Sequence, residues 1–301
     1  MAVVDKVYAD LMKNPKTWLV TGAAGFIGVN ICKKLVELGQ FVIGLDNSSK
    51  CGHDSVNAYA SMHKHMDAFN GDIKNPSIEN IVAKADIILH QAGWGNAPKS
   101  FSDPIGYSEN NIIGFLNILN IAKKQGNKRV VWASSSSTKQ VSSPYGLTKK
   151  TCEEFSKFYK NVIGLRYHNV YGPYQALRAA IPIFICKALK NEPIEIYGQC
   201  FRDFTYIDDV VRANIYAGVS QHIDSNDTFD NIFDVGSGVP VRVINVASKI
   251  IKMTNSSSKI IQKERRKGDI SLSCAQTSLA DSYLNFLPNY NIEKGLKDTV
   301  Q

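Results

Sequence analysis

The sequence of 301 residues lacks any long apolar run. No stretch approaches the roughly 20 consecutive apolar residues that a membrane-spanning helix requires. The first sixteen residues carry charges at Asp5, Lys6, Asp10 and Lys13, so they lack the uninterrupted apolar segment of a signal peptide. We therefore expect a cytoplasmic protein with no membrane partner.

Cysteines are few and scattered, and none forms a CxxC pair. This distribution argues against a disulfide framework or a zinc site and favours reduced thiols. His63 and His65 have chelating spacing, but with no further ligand nearby we expect no metal. The six cysteines are Cys32, Cys51, Cys152, Cys186, Cys200 and Cys274.

Charge of one sign is not concentrated along the chain. The 35 Lys and Arg residues exceed the 27 Asp and Glu residues, for a formal net charge of +8, and only KERRK at 263–267 is locally dense. That stretch has no interleaved aromatic residue, so we expect no nucleic-acid partner. A substrate that carries phosphates explains the modest basic excess equally well.

Strands and helices alternate along the first half of the chain. Apolar strands are predicted at 18–20, 41–46, 85–90 and 128–134, with helical patterns between them and an amphipathic helix ahead of the first strand. Because these strands are apolar on both faces, they predict a parallel sheet covered on both sides by helices. The fold class is therefore α/β, with a doubly wound parallel sheet.

Three glycines, Gly22, Gly25 and Gly28, lie three apart between the first predicted strand and the helix that follows. This spacing permits a tight turn and lets backbone N–H groups approach a pyrophosphate at a helix N-terminus. Asp46 closes the second strand 18 residues after Gly28, near the ~20-residue offset at which a carboxylate meets the adenosine ribose. Such a carboxylate repels a 2′-phosphate, which favours NAD over NADP. The alternative, a simple loop and a strand end, explains less of this pattern.

The hydroxyl-rich stretch SSSSTKQVSSPYGLTKK occupies residues 134–150. Tyr145 and Lys149 are four apart after Pro144, a typical first-turn residue, so both lie on one helix face. We expect the ammonium to lower the pKa of Tyr145 from ~10 and make it a general base. A serine at the end of the preceding strand would then bind the same substrate oxygen. By itself the spacing also fits an exposed helix face, but the dinucleotide turn favours the catalytic interpretation.

The motifs TGAAGFIG, GLDN, GDI, LHQAG, SSSS, YGLTK, LRYHNVYGP and RDFTYIDDV follow one another along nearly the whole chain. In this order they resemble the extended short-chain dehydrogenase/reductase superfamily, specifically its NAD-dependent nucleotide-sugar epimerases. The helical extension before TWLVTG, with LHQAGWGNAPKSFSDP and GFLNIL, is most similar to the subgroup acting on UDP-N-acetylglucosamine, its galacto epimer or their uronic acids. The resemblance also implies a homodimer, paired through helices near 112–123 and 151–159.

The resemblance implies two structural parts. We predict an NAD-binding Rossmann domain at 1–171, which includes an N-terminal helix at 1–16. A smaller region at 172–301 is predicted to bind mainly the nucleotide sugar. Some of its segments, such as NIFDVGSG at 231–238, are predicted to return to the Rossmann sheet.

The resemblance implies catalytic roles for Tyr145 as the base, Lys149 as its partner and nicotinamide-ribose ligand, and Ser135 as the hydroxyl that holds the sugar O4. Only ten positions separate Ser135 from Tyr145, fewer than is usual in the family, so Ser134 and Ser136 remain alternatives for the O4 contact. The implied cofactor contacts are Gly22, Gly25, Phe26, Ile27, Gly28, Asp46, Asn47, Asp72, Ile73, Gln91, Ala92, Asn111, Tyr145, Lys149 and Tyr167. The implied substrate contacts are Ser100, Ser136, Asn169, Arg202, Arg266, Asp269 and Ser273.

Several residues differ from the family pattern, and these differences limit which of the family's reactions we expect. Ser136 and Ser137 stand where 4,6-dehydratases place Asp and Glu and where decarboxylases keep the glutamate, so neither activity is expected. Hydride transfer and one base suffice for an epimerase, which would oxidise C4, let the 4-keto sugar turn in the pocket and return the hydride to its other face. Ser273 is small at a position where family members differ in size, which favours an N-acetylated sugar. His168 replaces the commoner aromatic residue, and the loops after 172 and 198 are short.

We therefore predict a UDP-sugar 4-epimerase acting on UDP-N-acetylglucosamine and UDP-N-acetylgalactosamine, or on the related hexoses or uronic acids. One alternative is an NAD(P)H-dependent reductase of a 4-keto nucleotide sugar, which would release its cofactor after each turnover. Another is a catalytically silent protein that binds NAD and a nucleotide sugar. The serine cluster with Tyr145 and Lys149 argues against a silent protein, whereas the shortened loops argue mildly for it.

Overall fold

The computed structural model of the chain describes residues 5–49, 63–221, 231–265 and 270–300. Within these residues seven strands form one sheet in the order β3-β2-β1-β4-β5-β6-β11, and every neighbouring pair is parallel. The first six follow the strand order of the Rossmann fold, which confirms the predicted fold class. The strands of this sheet are β1 (Thr17–Thr21), β2 (Phe41–Asp46), β3 (Met66–Asn70), β4 (Ile87–His90), β5 (Arg129–Ser135), β6 (Val162–Tyr167) and β11 (Ile232–Val235).

Short strands of the second half form smaller sheets. β7 pairs with β10, β8 pairs with β13, and β9 lies between β12 and β14. Strand β11 adds to the edge of the large sheet beside β6, so residues beyond 171 contribute to that sheet. The short strands are β7 (Val170–Tyr171), β8 (Ile194–Tyr197), β9 (Phe201–Asp203), β10 (Thr205–Tyr206), β12 (Pro240–Arg242), β13 (Ile260–Lys263) and β14 (Leu272–Ser273).

Helices cover both faces of the large sheet. A π-helical turn, Glu109–Ile113, leads directly into α6, and a 3₁₀ turn, Ser136–Thr138, follows β5. The α-helices of the described residues are α1 (Lys6–Lys13), α2 (Phe26–Glu37), α3 (Glu79–Ala83), α4 (Ala97–Ser100), α5 (Pro104–Ser108), α6 (Gly114–Lys124), α7 (Pro144–Ser156), α8 (Ala180–Leu189), α9 (Ile207–Val219), α10 (Val243–Met253), α11 (Ser278–Leu284) and α12 (Ile292–Val300). In the part of the chain described here, no helix is long and apolar enough to cross a membrane.

Alternation along β1 shows how the sheet is covered. Trp18 and Val20 belong to one hydrophobic cluster, whereas Leu19 between them belongs to the other. All three side chains are fully buried. Successive side chains of a strand point to opposite faces, so an apolar run in β1 requires helices on both sides.

The N-terminal helix is short and well capped. Asp5 accepts hydrogen bonds from the backbone N–H of Val7 at 3.0 Å and of Tyr8 at 3.3 Å, which satisfies two of the free donors at the start of α1. Leu11 is buried in the core, and its carbonyl accepts a hydrogen bond from Gln40. These contacts hold α1 against the Rossmann sheet.

Candidate active site

The glycine turn between β1 and α2 is built by close backbone contacts. Gly22 has φ +70°, a conformation that favours glycine, and a Cβ there would lie 2.7 Å from the backbone nitrogen of Ala92. A Cβ on Gly28 would lie only 2.1 Å from the carbonyl oxygen of Gly22. Side chains at either position would force the turn apart and displace the N-terminus of α2.

Asp46 at the end of β2 is tied to this turn. One of its carboxylate oxygens accepts a hydrogen bond from the Ala24 N–H at 3.0 Å, and the other accepts one from the Ser48 N–H at 2.7 Å. Each oxygen keeps a further lone pair, so the carboxylate can also accept from a ribose hydroxyl. The Asp46 carboxylate therefore lies at the position predicted to contact the adenosine ribose.

A cleft opens in front of the turn. The close-packed glycines and the carboxylate at its wall fit the pyrophosphate and adenosine ribose of a dinucleotide. Gly93 and Trp94 also line this cleft and were not predicted. The predicted cofactor contacts that line it are Gly22, Gly25, Asp46, Asn47, Ile73, Gln91 and Ala92.

Several predicted cofactor residues contact one another around the cleft. Asn47 donates to the Asp72 carboxylate at 3.2 Å. Tyr167 donates to the Gln91 side chain at 2.9 Å, behind the end of β4. Phe26 and Ile27 are the first residues of α2 and pack against the core.

Asn111 lies beside the cleft but is almost fully buried. Its side chain accepts from the Trp94 N–H at 2.8 Å and donates to the Trp94 carbonyl at 3.1 Å. It also donates to the Thr148 hydroxyl at 3.0 Å. Asn111 therefore joins the Trp94 loop to helix α7, consistent with a residue that orders the site.

Helix α7 begins at Pro144, with the Ser143 side chain as its N-cap. On this helix the pKa of Tyr145 is raised by burial, while a hydrogen bond from Ser135 lowers it and nearby Tyr107 raises it further. The Lys149 ammonium donates to the Ala133 carbonyl at 2.7 Å, and burial lowers the pKa of Lys149. The expectation that Lys149 lowers the pKa of Tyr145 is therefore wrong for this structure, because desolvation of the phenol dominates.

The structure distinguishes between the serines that end β5. Ser134 Oγ donates to the buried Glu153 carboxylate at 2.7 Å, on the side away from the phenol. Ser135 lies close enough to Tyr145 to lower the pKa of the phenol, and its Oγ accepts from the Ser137 N–H at 3.2 Å. Ser136 is half-buried in the 3₁₀ turn that follows. Ser135 is thus the serine with a hydroxyl placed beside the tyrosine.

Ser100 is fully buried, its hydroxyl donates to the Ala97 carbonyl at 2.6 Å, and it accepts from the Tyr145 N–H at 3.0 Å. These backbone contacts fix the first turn of α7 at Tyr145, and the substrate contact of Ser100 stays a prediction.

The predicted substrate residues lie around the small β9 sheet. Asn169 donates to the Asp203 carbonyl at 3.2 Å, and Arg202 donates to the Phe201 carbonyl at 2.9 Å. Ser273 is buried, with its Oγ 3.2 Å from Nδ1 of His168. Arg266 and Asp269 lie outside the described residues.

His90 is a further titratable group near the site. It is buried at the end of β4, 2.8 Å from the Thr21 hydroxyl, and stacks on Phe115. Burial, and after it the Lys149 charge, lower its pKa to about 3. A neutral histidine of this kind does not donate a proton at neutral pH.

Two kinds of site residue were missed from the sequence. Trp94 follows a predicted strand end and is flanked by glycines, which is a recognisable signal for a loop at a ligand site. Glu153 lies four residues after Lys149 on the same helix face, so its spacing was visible as well. Its partner Arg166, and Asp234 on the other side of that arginine, are distant in the sequence and gave no such signal.

Comparison with known proteins agrees with this geometry. Residues 18–236 match the model of the NAD dependent epimerase/dehydratase family. UDP-glucuronate 4-epimerase of Thermodesulfobacterium geofontis is 30% identical, over 94% of this chain and 94% of its own length.

Solved structures are similar over the same extent. UDP-glucose 4-epimerase of Thermotoga maritima with UDP-glucose superposes with a TM-score of 0.84 at 29% identity, covering 94% of this chain and 97% of that one. UDP-N-acetylglucosamine 4-epimerase of Methanobrevibacter ruminantium M1, in complex with UDP-N-acetylmuramic acid, gives a TM-score of 0.85 at 28% identity and covers 95% and 97%.

The chain therefore belongs to the NAD-dependent epimerase/dehydratase family, within the extended short-chain dehydrogenases/reductases. The predicted enzyme class, a nucleotide-sugar epimerase, and the predicted cofactor, NAD, are confirmed.

Proposed function

We propose that the chain interconverts the two C4 epimers of a UDP-N-acetylhexosamine. The observation that carries the proposal is the placement of Ser135 at the end of β5 and of Tyr145 and Lys149 on α7, with the Lys149 ammonium 3.2 Å from where a Cβ on Gly93, a residue of the dinucleotide cleft, would lie. With Lys149 one helical turn away, these residues supply a proton acceptor and a hydrogen-bond donor for one substrate oxygen.

In the proposed reaction Tyr145 accepts the proton of the C4 hydroxyl and later returns it. Ser135 holds the same oxygen and stabilises the phenolate form of Tyr145 by its hydrogen bond. Lys149 is fixed by the Ala133 carbonyl, which leaves its other two N–H donors for the cofactor ribose. NAD, when bound, supplies the site that takes the C4 hydride and gives it back.

The N-acetylated sugar is favoured by the small, buried side chain of Ser273. A large aromatic side chain at that position would fill space that an N-acetyl group needs. The similar structure from Methanobrevibacter ruminantium is a UDP-N-acetylglucosamine 4-epimerase, whereas curated relatives include UDP-glucuronate 4-epimerases. The hexoses and uronic acids are therefore the competing substrates to test.

We also propose that the Rossmann part at 1–171 holds NAD and that 172–301 mainly holds the nucleotide sugar. Arg202 supports this division, because β9, on which it lies, pairs with the strand that carries Ser273. A cation and hydroxyls on one small sheet suit a diphosphate and its sugar.

A homodimer is proposed from exposed apolar side chains on α5 to α7. Ile105 is 73% exposed, Ile113 53% and Leu147 56%, and Phe158 just beyond α7 is 80% exposed. Apolar groups of this size clustered on adjacent helices are typical of subunit interfaces. A second copy of the chain, related by a two-fold axis, would cover them.

The proposed function is tested by incubating purified protein, without added cofactor, with UDP-N-acetylglucosamine, UDP-glucose and their uronic acids separately. Proton NMR follows the configuration at C4. A galacto epimer from UDP-N-acetylglucosamine at the highest rate supports the proposal. Faster conversion of a UDP-hexose or a UDP-uronic acid would identify that nucleotide sugar, rather than the N-acetylated one, as the substrate. No conversion of any sugar with NAD added would contradict epimerase activity.

A further inference from the structure

A buried carboxylate continues the catalytic face of α7. Glu153 lies one turn beyond Lys149 and is 1% exposed. One of its oxygens accepts from the Ser134 hydroxyl at 2.7 Å and from the Thr138 hydroxyl at 2.9 Å. Both donors flank Ser135, so a single carboxylate oxygen holds the chain before and after the serine that contacts Tyr145.

Arg166 on β6 holds this carboxylate with two parallel hydrogen bonds. Its Nε donates to Oε1 of Glu153 at 2.7 Å and its Nη2 donates to Oε2 at 2.9 Å. Paired contacts of this kind fix the direction as well as the distance of both groups. The hydrogen bonds and charge of Arg166 keep the pKa of Glu153 low although burial raises it, so the carboxylate is ionised at neutral pH.

A second buried carboxylate lies on the other side of Arg166. Oδ1 of Asp234 on β11 is 3.9 Å from Nη1 of Arg166. The Asp234 side chain also accepts from Lys139, and from the Gln276 N–H at 2.8 Å. Thr138 and Lys139, neighbours in the serine loop, are thus attached to two different carboxylates that share one arginine.

The Asp234 carboxylate also lies close to the segment that contains Ser273, which is proposed to contact the sugar. Nε2 of His168 lies 3.5 Å from the Asp234 carboxylate, and Nδ1 of His168 lies 3.2 Å from Ser273 Oγ. Gln276 follows Ser273 by three residues, so Asp234 contacts this segment both through its backbone and through His168. A series of polar side chains therefore extends from Ser134 and Thr138, on either side of Ser135, to Ser273.

We infer that Glu153, Arg166 and Asp234, termed here the carboxylate clamp, position Ser135 against Tyr145 and couple the serine loop to the segment 273–276. The inference rests on the proposed function for its catalytic consequence. These are positioning residues, since none of them is placed to touch the substrate.

The clamp is assigned a positioning role because buried ion pairs contribute little net stability but fix the geometry of the groups that they join. Burying charges costs free energy that their attraction only partly recovers, and apolar replacements of similar volume often leave stability unchanged. The loop between Ser135 and Tyr145 is short and carries exposed residues at 139–142, so few apolar contacts fix it. The hydrogen bonds and ion pairs of the carboxylate clamp hold this loop where apolar packing does not.

The test uses variants of the two loop residues, because removing Glu153 or Arg166 would leave an unpaired buried charge and would destabilise the fold for that reason alone. Thr138→Val removes a hydroxyl that lies 2.9 Å from both the Glu153 carboxylate and the Ser135 carbonyl, whereas Lys139→Met leaves Ser135 untouched and removes only the cation on Asp234. Lys150→Met is the matched control. Lys150 lies 3.6 Å from Glu153 on α7 itself, so this change removes a cation from the same clamp without altering the serine loop.

The first measurement needs no sugar. The pKa of the Tyr145 phenol is taken from the ultraviolet absorbance difference between each variant and the same variant carrying Tyr145→Phe. The groups facing the phenol are Ser135 and Tyr107. Loss of the Ser135 contact raises the Tyr145 pKa in Thr138→Val and Lys139→Met, whereas Lys150→Met matches the wild type. An unchanged pKa in both loop variants would overturn the inference.

The second measurement is amide hydrogen exchange by mass spectrometry. Faster exchange in 135–143 and also in 272–277 for both loop variants, but not for Lys150→Met, supports the coupling. Faster exchange confined to 135–143 would overturn the coupling to the sugar side.

Turnover provides the third measurement. A fall in kcat on the order of tenfold to a hundredfold, with unchanged bound NAD, is expected from lost positioning. The ascending limb of the kcat profile should also move to higher pH. Normal kcat in both loop variants would overturn the positioning role. A wild type that converts no sugar would overturn the proposed function alone, since the phenol titration and the exchange data still decide the clamp.

Discussion

The Lys149 ammonium donates to the main-chain carbonyl of Ala133 at 2.7 Å, two residues before Ser135 in β5. This hydrogen bond ties the catalytic helix to the strand that presents the serine. Burial raises the pKa of Tyr145, and Ser135 lowers it.

Tyr145→Phe is predicted to lower kcat by about 10²-fold or more, since a positioned acid–base group typically contributes 10²–10⁴. Bound NAD, measured after gel filtration, should be unchanged because the phenol is absent from the walls of the dinucleotide cleft. Tyr159→Phe is the control, since that hydroxyl contacts Asn120 beyond the end of α7. Full activity in Tyr145→Phe would contradict the assignment.

Gly28→Ala is predicted to abolish NAD binding and lower Tm, because its Cβ would lie 2.1 Å from the Gly22 carbonyl. A backbone atom at that distance cannot move without opening the turn. Gly95→Ala is the matched control, since a Cβ there meets nothing within 4 Å. Thermal unfolding gives the Tm of both variants, and the ratio of bound NAD to protein gives their cofactor content. Equal values in the two variants would show that the turn tolerates a methyl group at Gly28.

Asp46→Ala is predicted to weaken NAD binding by about 10- to 100-fold without creating tight NADP binding. The carboxylate accepts the Ala24 and Ser48 N–H groups, so its loss disturbs the turn as well as the ribose contact. Calorimetric titration of cofactor-free protein with both dinucleotides measures this. NADP affinity equal to that of NAD in the wild type would contradict the proposed role.

Asp234 is predicted to add an acid-dependent contribution to stability. Burial would raise its pKa, but His168, the Gln276 N–H and Lys139 lower it from 3.8 to about 2. Because the folded-state pKa is the lower one, the stabilisation is present above about pH 4 and is lost as the pH falls towards 2. The wild type should therefore lose about 2 kcal/mol more than Asp234→Asn over this range.

Urea unfolding at pH 4, 3 and 2 measures this difference. Asp67→Asn is the control, since that side chain is exposed on β3. Parallel loss of stability in the wild type and in Asp234→Asn would contradict the prediction.

Ile113→Arg is predicted to give a monomer, because it places a charge in the centre of the exposed apolar face on α5 to α7. Leu189→Arg is the matched control, since Leu189 is 65% exposed on α8 and outside that face. Light scattering after gel filtration measures the mass of each. A wild-type monomer, or a dimer that persists in Ile113→Arg, would contradict the proposed interface.

Local sequence patterns predicted much of the fold. The first two apolar strands, the glycine spacing and Asp46 lie within 30 residues of one another, and their geometry follows from backbone conformation and turn length. The pairing of Tyr145 with Lys149 is a helix spacing and is equally local. Resemblance to a family supplied Ser135, which the spacing alone left open among three serines.

The sequence by itself determined the Rossmann class, the dinucleotide turn and the helix face that carries Tyr145, because each depends on residues that are close along the chain. Only the tertiary structure decided the surroundings of those residues. Desolvation raises the pKa of Tyr145, backbone groups occupy the hydroxyl of Ser100, and Glu153 and Asp234 meet at Arg166. Burial and such distant contacts arise only when separate strands are brought together, and no local spacing records them.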